Sequence, residues 1–190
     1  MKSFLIIAAS FVLLSSSCRK NKPVNPIDQL PPETQTGANT FGCLVDGEVF
    51  KPGGASLTGG SLSCNYQYLG TGPSGGYFFR LAAISRNNNS GESKSIGLFT
   101  DSLKILQGGE YKFIAPRIKE SAYALYGYTK DNPITIDDYE TNNLNTGKLQ
   151  IKKLDTINQI VSGTFWFDAV NANGQKVQIR EGRFDVRYTR

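Results

Sequence analysis

The side chains that could do chemistry in this chain are limited first by an absence, because the sequence contains no histidine. Imidazole acid–base catalysis, Ser-His-Asp and Cys-His relays and every His-ligated metal are thereby excluded. Carboxylates remain. Asp131, Asp137, Asp138 and Glu140 crowd one stretch, and such oxygens could surround Ca²⁺, yet their spacing matches no calcium loop. Two carboxylates could also serve as the acid and base of a glycosidase, which requires a set separation across a cleft that a linear sequence does not display. The simpler expectation is an exposed acidic loop following Pro133. Gly70-Thr71-Gly72-Pro73-Ser74-Gly75 satisfies Gly-x-Gly-x-x-Gly, but a dinucleotide loop must open a helix, and Tyr77-Phe78-Phe79 continues as a strand. A flexible hairpin loop is expected there. No catalytic residue, cofactor or metal is expected.

Aromatic rings are the better lead. Ser162 to Val170 alternates Gly163, Phe165, Phe167 and Ala169 with Thr164, Trp166 and Asp168. On a strand this puts Phe165 and Phe167 in the core and Trp166 on the wet face, where an indole can stack on a sugar or a protein partner. Tyr126, Tyr128 and Tyr139 are candidates to extend that surface, and cover of Trp166 by loops or a second sheet is the bland alternative. Cys43 and Cys64 are twenty-odd residues apart. Bridged, they would stabilise the fold by about 3 kcal/mol in the chain-entropy picture. Two buried free thiols are the other outcome, since pairing needs Cα atoms within about 7 Å. No Cys-x-x-Cys exists to support a redox role.

The elements that must position these residues read as β-strands. Gly accounts for 20 residues and aromatics for 11%, and the apolar residues from about Thr40 onward alternate in short runs between Gly, Asn and Pro clusters. Asp46-Gly47 is a preferred pair for a two-residue type I′ hairpin between Phe41–Val45 and Glu48–Phe50. Further strands are expected near 62–69, 77–84, 95–99, 111–114, 123–129, 148–152, 162–170 and 176–188. A turn of helix before Tyr123 is the open question, because Pro116 and Gly127 could bracket one. In the last strand the apolar phase is odd at Val177 and Ile179 and even at Phe184, Val186 and Tyr188. One extra residue near Glu181-Gly182, a bulge, accounts for the change. The expected fold is an all-β antiparallel sandwich over residues 40–190.

The N-terminus sets the compartment. A charged start at Lys2, an apolar run of eleven residues from Phe4 to Leu14 and then Ser15-Ser16-Ser17-Cys18 form an export signal over residues 1–17. Eleven residues are too few to span a bilayer, which needs about 20. Small residues before a cysteine resemble the lipobox of bacterial lipoproteins, with one departure: Ser15 stands where that motif usually has Leu. The resemblance implies that Cys18 is acylated and becomes the mature N-terminus. Each buried methylene contributes about 0.8 kcal/mol, so several acyl chains hold a protein on a membrane durably. Residues 18–39, carrying Pro23, Pro26, Pro31 and Pro32, are expected as a flexible, lipid-anchored stalk.

Thr36-Gly37-Ala38-Asn39-Thr40-Phe41-Gly42-Cys43-Leu44-Val45-Asp46-Gly47 resembles the opening of a family of predicted outer-membrane lipoproteins of Bacteroidetes-type bacteria. Leu154-Asp155, Ile160 to Phe165 and Gly182 to Val186 resemble its close. Trp166 departs from it, since such sequences commonly carry a small polar residue there. The family has no known activity. With no acidic residue in Arg19-Lys20-Asn21-Lys22, the resemblance implies the periplasmic leaflet of the outer membrane. The net charge of +5 is spread along the chain, so no nucleic-acid partner is expected. The resulting expectation is a lipid-anchored envelope protein, a non-enzymatic binding or structural accessory that meets another envelope component. The alternative is a glycan-binding envelope protein using Trp166 and nearby tyrosines.

Overall fold

The computed structural model describes residues 24–54, 60–71 and 75–190, so the expected signal peptide and the acylation at Cys18 lie outside the described residues. The chain is nearly all β. Eleven strands follow in order: β1 (Thr40–Val45), β2 (Glu48–Phe50), β3 (Leu62–Leu69), β4 (Gly76–Asn87), β5 (Glu92–Asp101), β6 (Glu110–Phe113), β7 (Ser121–Asp131), β8 (Ile134–Glu140), β9 (Gly147–Asp155), β10 (Ile160–Val170) and β11 (Lys176–Arg187). One turn of 3₁₀ helix, Pro26–Gln29, precedes them, with the Asn25 side chain accepting from the Ile27 N–H.

All eleven strands form one sheet, ordered β2-β1-β11-β10-β9-β6-β7-β5-β4-β3, with β8 set against β7 and touching β10. Pairing is antiparallel apart from the contact of β6 with β7 at Phe113 and Ala122. The two ends of this path meet through bridges from Gly53 to Ser85 and from Asn65 to Thr189. The sheet therefore curls on itself, and the inward faces of its strands close over one core. That core runs through touching rings: Phe165 lies 5.2 Å from Phe41, 6.4 Å from Phe167 and 6.4 Å from Phe184.

Local chemistry accounts for the details that matter to the site. Asp46 and Gly47 take φ of 49° and 86°, the left-handed pair that a type I′ hairpin requires. Between β10 and β11, Phe165 pairs with Gly182 and Phe167 with Ile179, so Arg180 and Glu181 together oppose Trp166. This is the bulge expected from the change of phase, and Glu181 turns it with φ of 54°. Gly182 is required: a Cβ there would sit 2.6 Å from the Phe165 ring.

Two expectations are corrected and one open question is answered. The acidic stretch after Pro133 is the strand β8, paired with β7 from Leu125 to Asp131, and not a loop. Segment 115–120 holds no helix; Arg117 and Glu120 turn it with positive φ, and strand begins at Ser121. The stalk expected over residues 18–39 is in its later part a strap bound to the domain. Leu30 is buried, and Pro31 covers Gly42 so closely that a Cβ on Gly42 would clash at 2.5 Å. The cause is Asp185, which accepts hydrogen bonds from the N–H groups of Thr36, Gly37 and Ala38 at 2.8, 2.8 and 3.2 Å and from the Thr34 hydroxyl at 2.7 Å. An extended, Pro-rich segment cannot pair with itself, but one buried carboxylate satisfies four of its donors at once.

Candidate functional site

Trp166 projects from the outer face of β10, its neighbours Phe165 and Phe167 both buried beneath it, and it remains 41% exposed. Cover by loops or a second sheet does not occur. Its surroundings come from three strands and the strap. Across the β9 side the directly paired residue is Lys148, which bonds Glu110 at 3.1 Å. Across the β11 side the bulge presents two successive residues instead of one. Arg180 places its guanidinium 5.5 Å from the centre of the indole ring. It is fixed there by Asp168 at 2.6 Å and by the carbonyls of Phe167 and Ile179 at 3.1 and 2.9 Å. Arg183 pairs with Glu181 at 3.3 Å. From the strap, Glu33 pairs with Lys152.

Two hollows flank the ring. One, of about 360 Å³, is lined by Glu33, Lys152, Thr164, Arg180, Glu181 and Arg183; the other, of about 370 Å³, includes Tyr111, Lys112, Thr146 and Gly147; Lys148 and Trp166 border both. Gly147 permits the close passage of β9, since a Cβ there would lie 2.2 Å from the Trp166 carbonyl oxygen. Four of the cations around the ring, Lys148, Lys152, Arg180 and Arg183, each pair with a carboxylate, and Lys112 adds one further positive charge, so the patch carries both signs with a small positive excess. Exposed pairs of this kind contribute only about 0–1 kcal/mol each to stability. Their use lies in holding donors and acceptors at fixed places around a flat apolar ring.

The tyrosines expected to enlarge this surface lie elsewhere. Tyr126 belongs to the inward row Ala122, Ala124 and Tyr126 of β7, is buried, and packs on Tyr139 with ring centres 5.6 Å apart. Burial pushes its phenol well above the ordinary range. Tyr128 lies on the same side of β7 and donates to Glu92 at 3.2 Å. All three pack against the core from the inner side, whereas Trp166 is on the outer face of β10. Cys43 and Cys64 are free, buried thiols, and burial pushes both well above the ordinary thiol range, which leaves them unreactive. The acidic residues of β8 gather no metal-binding set, and among the described residues no group of three potential ligands forms.

Sequence reasoning missed Arg180, Lys148 and Glu33 as neighbours of Trp166. The phase change at Glu181 was the available signal for Arg180, because a bulge opposite Trp166 turns two residues toward it. Nothing in the Pro-rich segment marked Glu33.

Among the described residues, no helix is long and apolar enough to cross a membrane. Residues 87–186 match the family described as "Domain of unknown function (DUF6252)". That span runs from the end of β4 to the last turn of β11, and it contains Trp166, Arg180 and Asp185 but neither Glu33 nor Cys18. No curated protein and no solved structure matches the chain.

Proposed function

The chain belongs to this family of unknown function, and from that premise we propose that it is a lipid-anchored, non-enzymatic envelope protein that binds a glycan through the Trp166 face. The observation that carries the reading is the exposed indole held between two hollows and ringed by four ion pairs. A pyranose offers C–H faces to an aromatic ring and hydroxyls to surrounding donors and acceptors. Paired Lys, Arg, Glu and Asp side chains supply both kinds of partner, and four of the five cations are already matched by a carboxylate, unlike the unmatched cluster that a polyanion would require. Pre-fixed groups also lower the ordering cost of binding. The anchor rests on Ser15-Ser16-Ser17-Cys18, and the outer membrane, periplasmic side, on the resemblance of the flanking residues to such lipoproteins.

A glycan array with the protein and its Trp166→Ala variant tests the binding reading. Retention of at least one glycan by the protein and its loss in the variant is expected; an array with no signal, or a signal that Trp166→Ala leaves intact, would overturn it. Mass spectrometry of the mature protein tests the anchor, with acyl chains on an N-terminal Cys18 as the expected result. An unmodified chain that keeps residues 1–17 contradicts it.

A protein partner is the second reading, favoured by β8. Ile134 and Ile136 are 82% and 68% exposed there, and the strand edge opposite β7 meets β10 only at Glu140 and Val170. An unpaired edge bearing exposed β-branched residues is a place where an extended segment can add.

A further inference from the structure

A second aromatic site lies where the curled sheet fails to close. On β3, Leu62, Cys64, Tyr66 and Tyr68 alternate toward the interior, and Cys64 and Tyr66 are buried accordingly. Tyr68 has the same orientation and is 53% exposed. An inward ring that meets solvent marks an opening. The backbone shows where it begins: the Tyr66 N–H donates to the Thr189 carbonyl at 2.9 Å and the Thr189 N–H to the Cys64 carbonyl at 3.0 Å. From Gln67 onward the outer edge of β3 has no backbone partner among the described residues. The seam between the two ends of the sheet is thus shut at Asn65 and open at Tyr68.

The opening is walled by rings. Tyr68 stands opposite Tyr77 on β4, their centres 5.2 Å apart and their planes 74° from one another. Tyr77 in turn stacks on Tyr66 at 5.5 Å, and Tyr66 meets Tyr188 edge-on at 5.7 Å. The Tyr66 hydroxyl is tied to the Ile105 carbonyl at 3.3 Å, which fixes the back wall. Arg190 reaches across to the Thr156 carbonyl and forms a rim with it. The cavity measures about 400 Å³, and besides the four tyrosines only Gln67, Thr156 and Arg190 line it. Small-molecule pockets run from about 300 to 1,000 Å³ and favour the mouths of curled sheets.

We infer that this mouth is a binding site for a neutral, polyhydroxylated ring, the sugar unit of an uncharged glycan. The lining contains no aliphatic side chain, so an acyl chain would find no hydrocarbon wall and would leave phenols and an amide unpaired. Its lining holds no side-chain carboxylate, and the two cations beside it are engaged, Arg190 with the Thr156 carbonyl and Lys104 over the Tyr77 ring at 5.3 Å, so a multiply charged ligand would lack free partners. What it does offer is the exposed Tyr68 ring, with the Tyr77 ring set steeply against it, and hydroxyl, amide and guanidinium donors around them. Gly75 holds this corner open to Tyr68, since a Cβ there would fall 2.3 Å from the Tyr68 hydroxyl. The site shares no residue with the Trp166 patch and stands whether or not that patch binds.

The test is a nuclear magnetic resonance titration of the protein with cellohexaose, laminarihexaose and chitohexaose, and with hexagalacturonate as the charged counterpart. At least one neutral hexasaccharide should shift the amides of Gln67, Tyr68, Leu69 and Thr156. Its affinity, read from these amides, should fall about tenfold or more in Tyr68→Ala, as for an aromatic binding anchor. Gln67→Ala, a rim substitution, should also weaken binding and keeps the test decisive if Tyr68→Ala perturbs the fold. The inference is overturned if no neutral hexasaccharide moves these amides, if only hexagalacturonate does, or if both mouth variants bind as the unaltered protein does.

Discussion

Trp166 and Tyr68 both hold an aromatic ring in water, and they arrive there by opposite routes. Trp166 alternates outward on β10, a strand paired on both sides, and is wet because no strand or second sheet is built over it. Tyr68 alternates inward on β3, the last strand of the sheet path, and is wet because the sheet stops short of closing. The first ring is surrounded by ion pairs drawn from β6, β9, β10, β11 and the strap; the second by other phenols. Strand alternation thus settles the side a residue faces, and the completeness of its neighbours settles whether that side is dry. The two sites differ in chemistry for the same reason. Only an outer face tolerates four charged pairs, whereas a mouth continuous with the core is lined by what the core is made of.

The sharpest way to break this comparison is at the residue under Trp166. Phe165→Ala removes a ring packed on Phe41, Phe167 and Phe184, and should cost about 3–5 kcal/mol in urea denaturation. A loss below about 1 kcal/mol would mean that β10 does not bury its odd-numbered side, and the outward reading of Trp166 would go with it.

Next in size is the strap. Asp185→Asn keeps the shape but removes the charge that several donors converge on, and should cost about 2 kcal/mol, the scale of hydrogen bonds to a charged group. Burial pushes this carboxyl up, and the bonds from Thr34, Thr36, Gly37 and Ala38 outweigh that and hold it below the usual range. The folded value being depressed, the strap's stabilisation is complete above the unfolded carboxylate value of about 3.9 and fades as pH falls through the lower folded one. Denaturation curves as a function of pH should show this acid loss in the protein and not in Asp185→Asn. Because the strap carries Glu33 to the Trp166 patch and not to the mouth, the same variant should weaken ligand binding at Trp166 and leave hexasaccharide binding at Tyr68 alone. Equal weakening at both would erase the distinction between the two sites.

The smallest effects belong to the rings themselves. Trp166→Ala gives up one cation–π contact and Tyr68→Ala one edge-on ring pair, each worth about 1 kcal/mol. With no shared partner their costs should add within about 0.5 kcal/mol in the double variant. A larger coupling, measured by thermal or urea denaturation, would show that the sites communicate.

Much of this arrangement is legible in the amino-acid sequence, and what is not has physical causes. The Asp46-Gly47 hairpin, the buried Phe165 and Phe167 and the bulge at Glu181-Gly182 each follow from rules that act within a few residues. The strap was not legible, because its partner Asp185 is about 150 residues away and nothing local distinguishes a stalk from a bound segment. β8 was hidden by Pro133 and by its acidic residues, whose exposure is ordinary for a strand with one open edge. Tyr126 was misplaced because the strand's facing depends on β5 and β8 lying to either side of it. Tyr68 and Tyr77 passed without notice for a similar reason: only the long-range order of the sheet reveals that β3 is its end.

The most direct measurement uses the fact that Trp166 is the sole tryptophan of the chain. When a glycan recovered from the array is added, the intrinsic tryptophan emission should change in wavelength or intensity and saturate with the same midpoint as binding. Binding of that glycan with an unaltered tryptophan spectrum would place it elsewhere on the protein and contradict the assignment of the outer face as the ligand site.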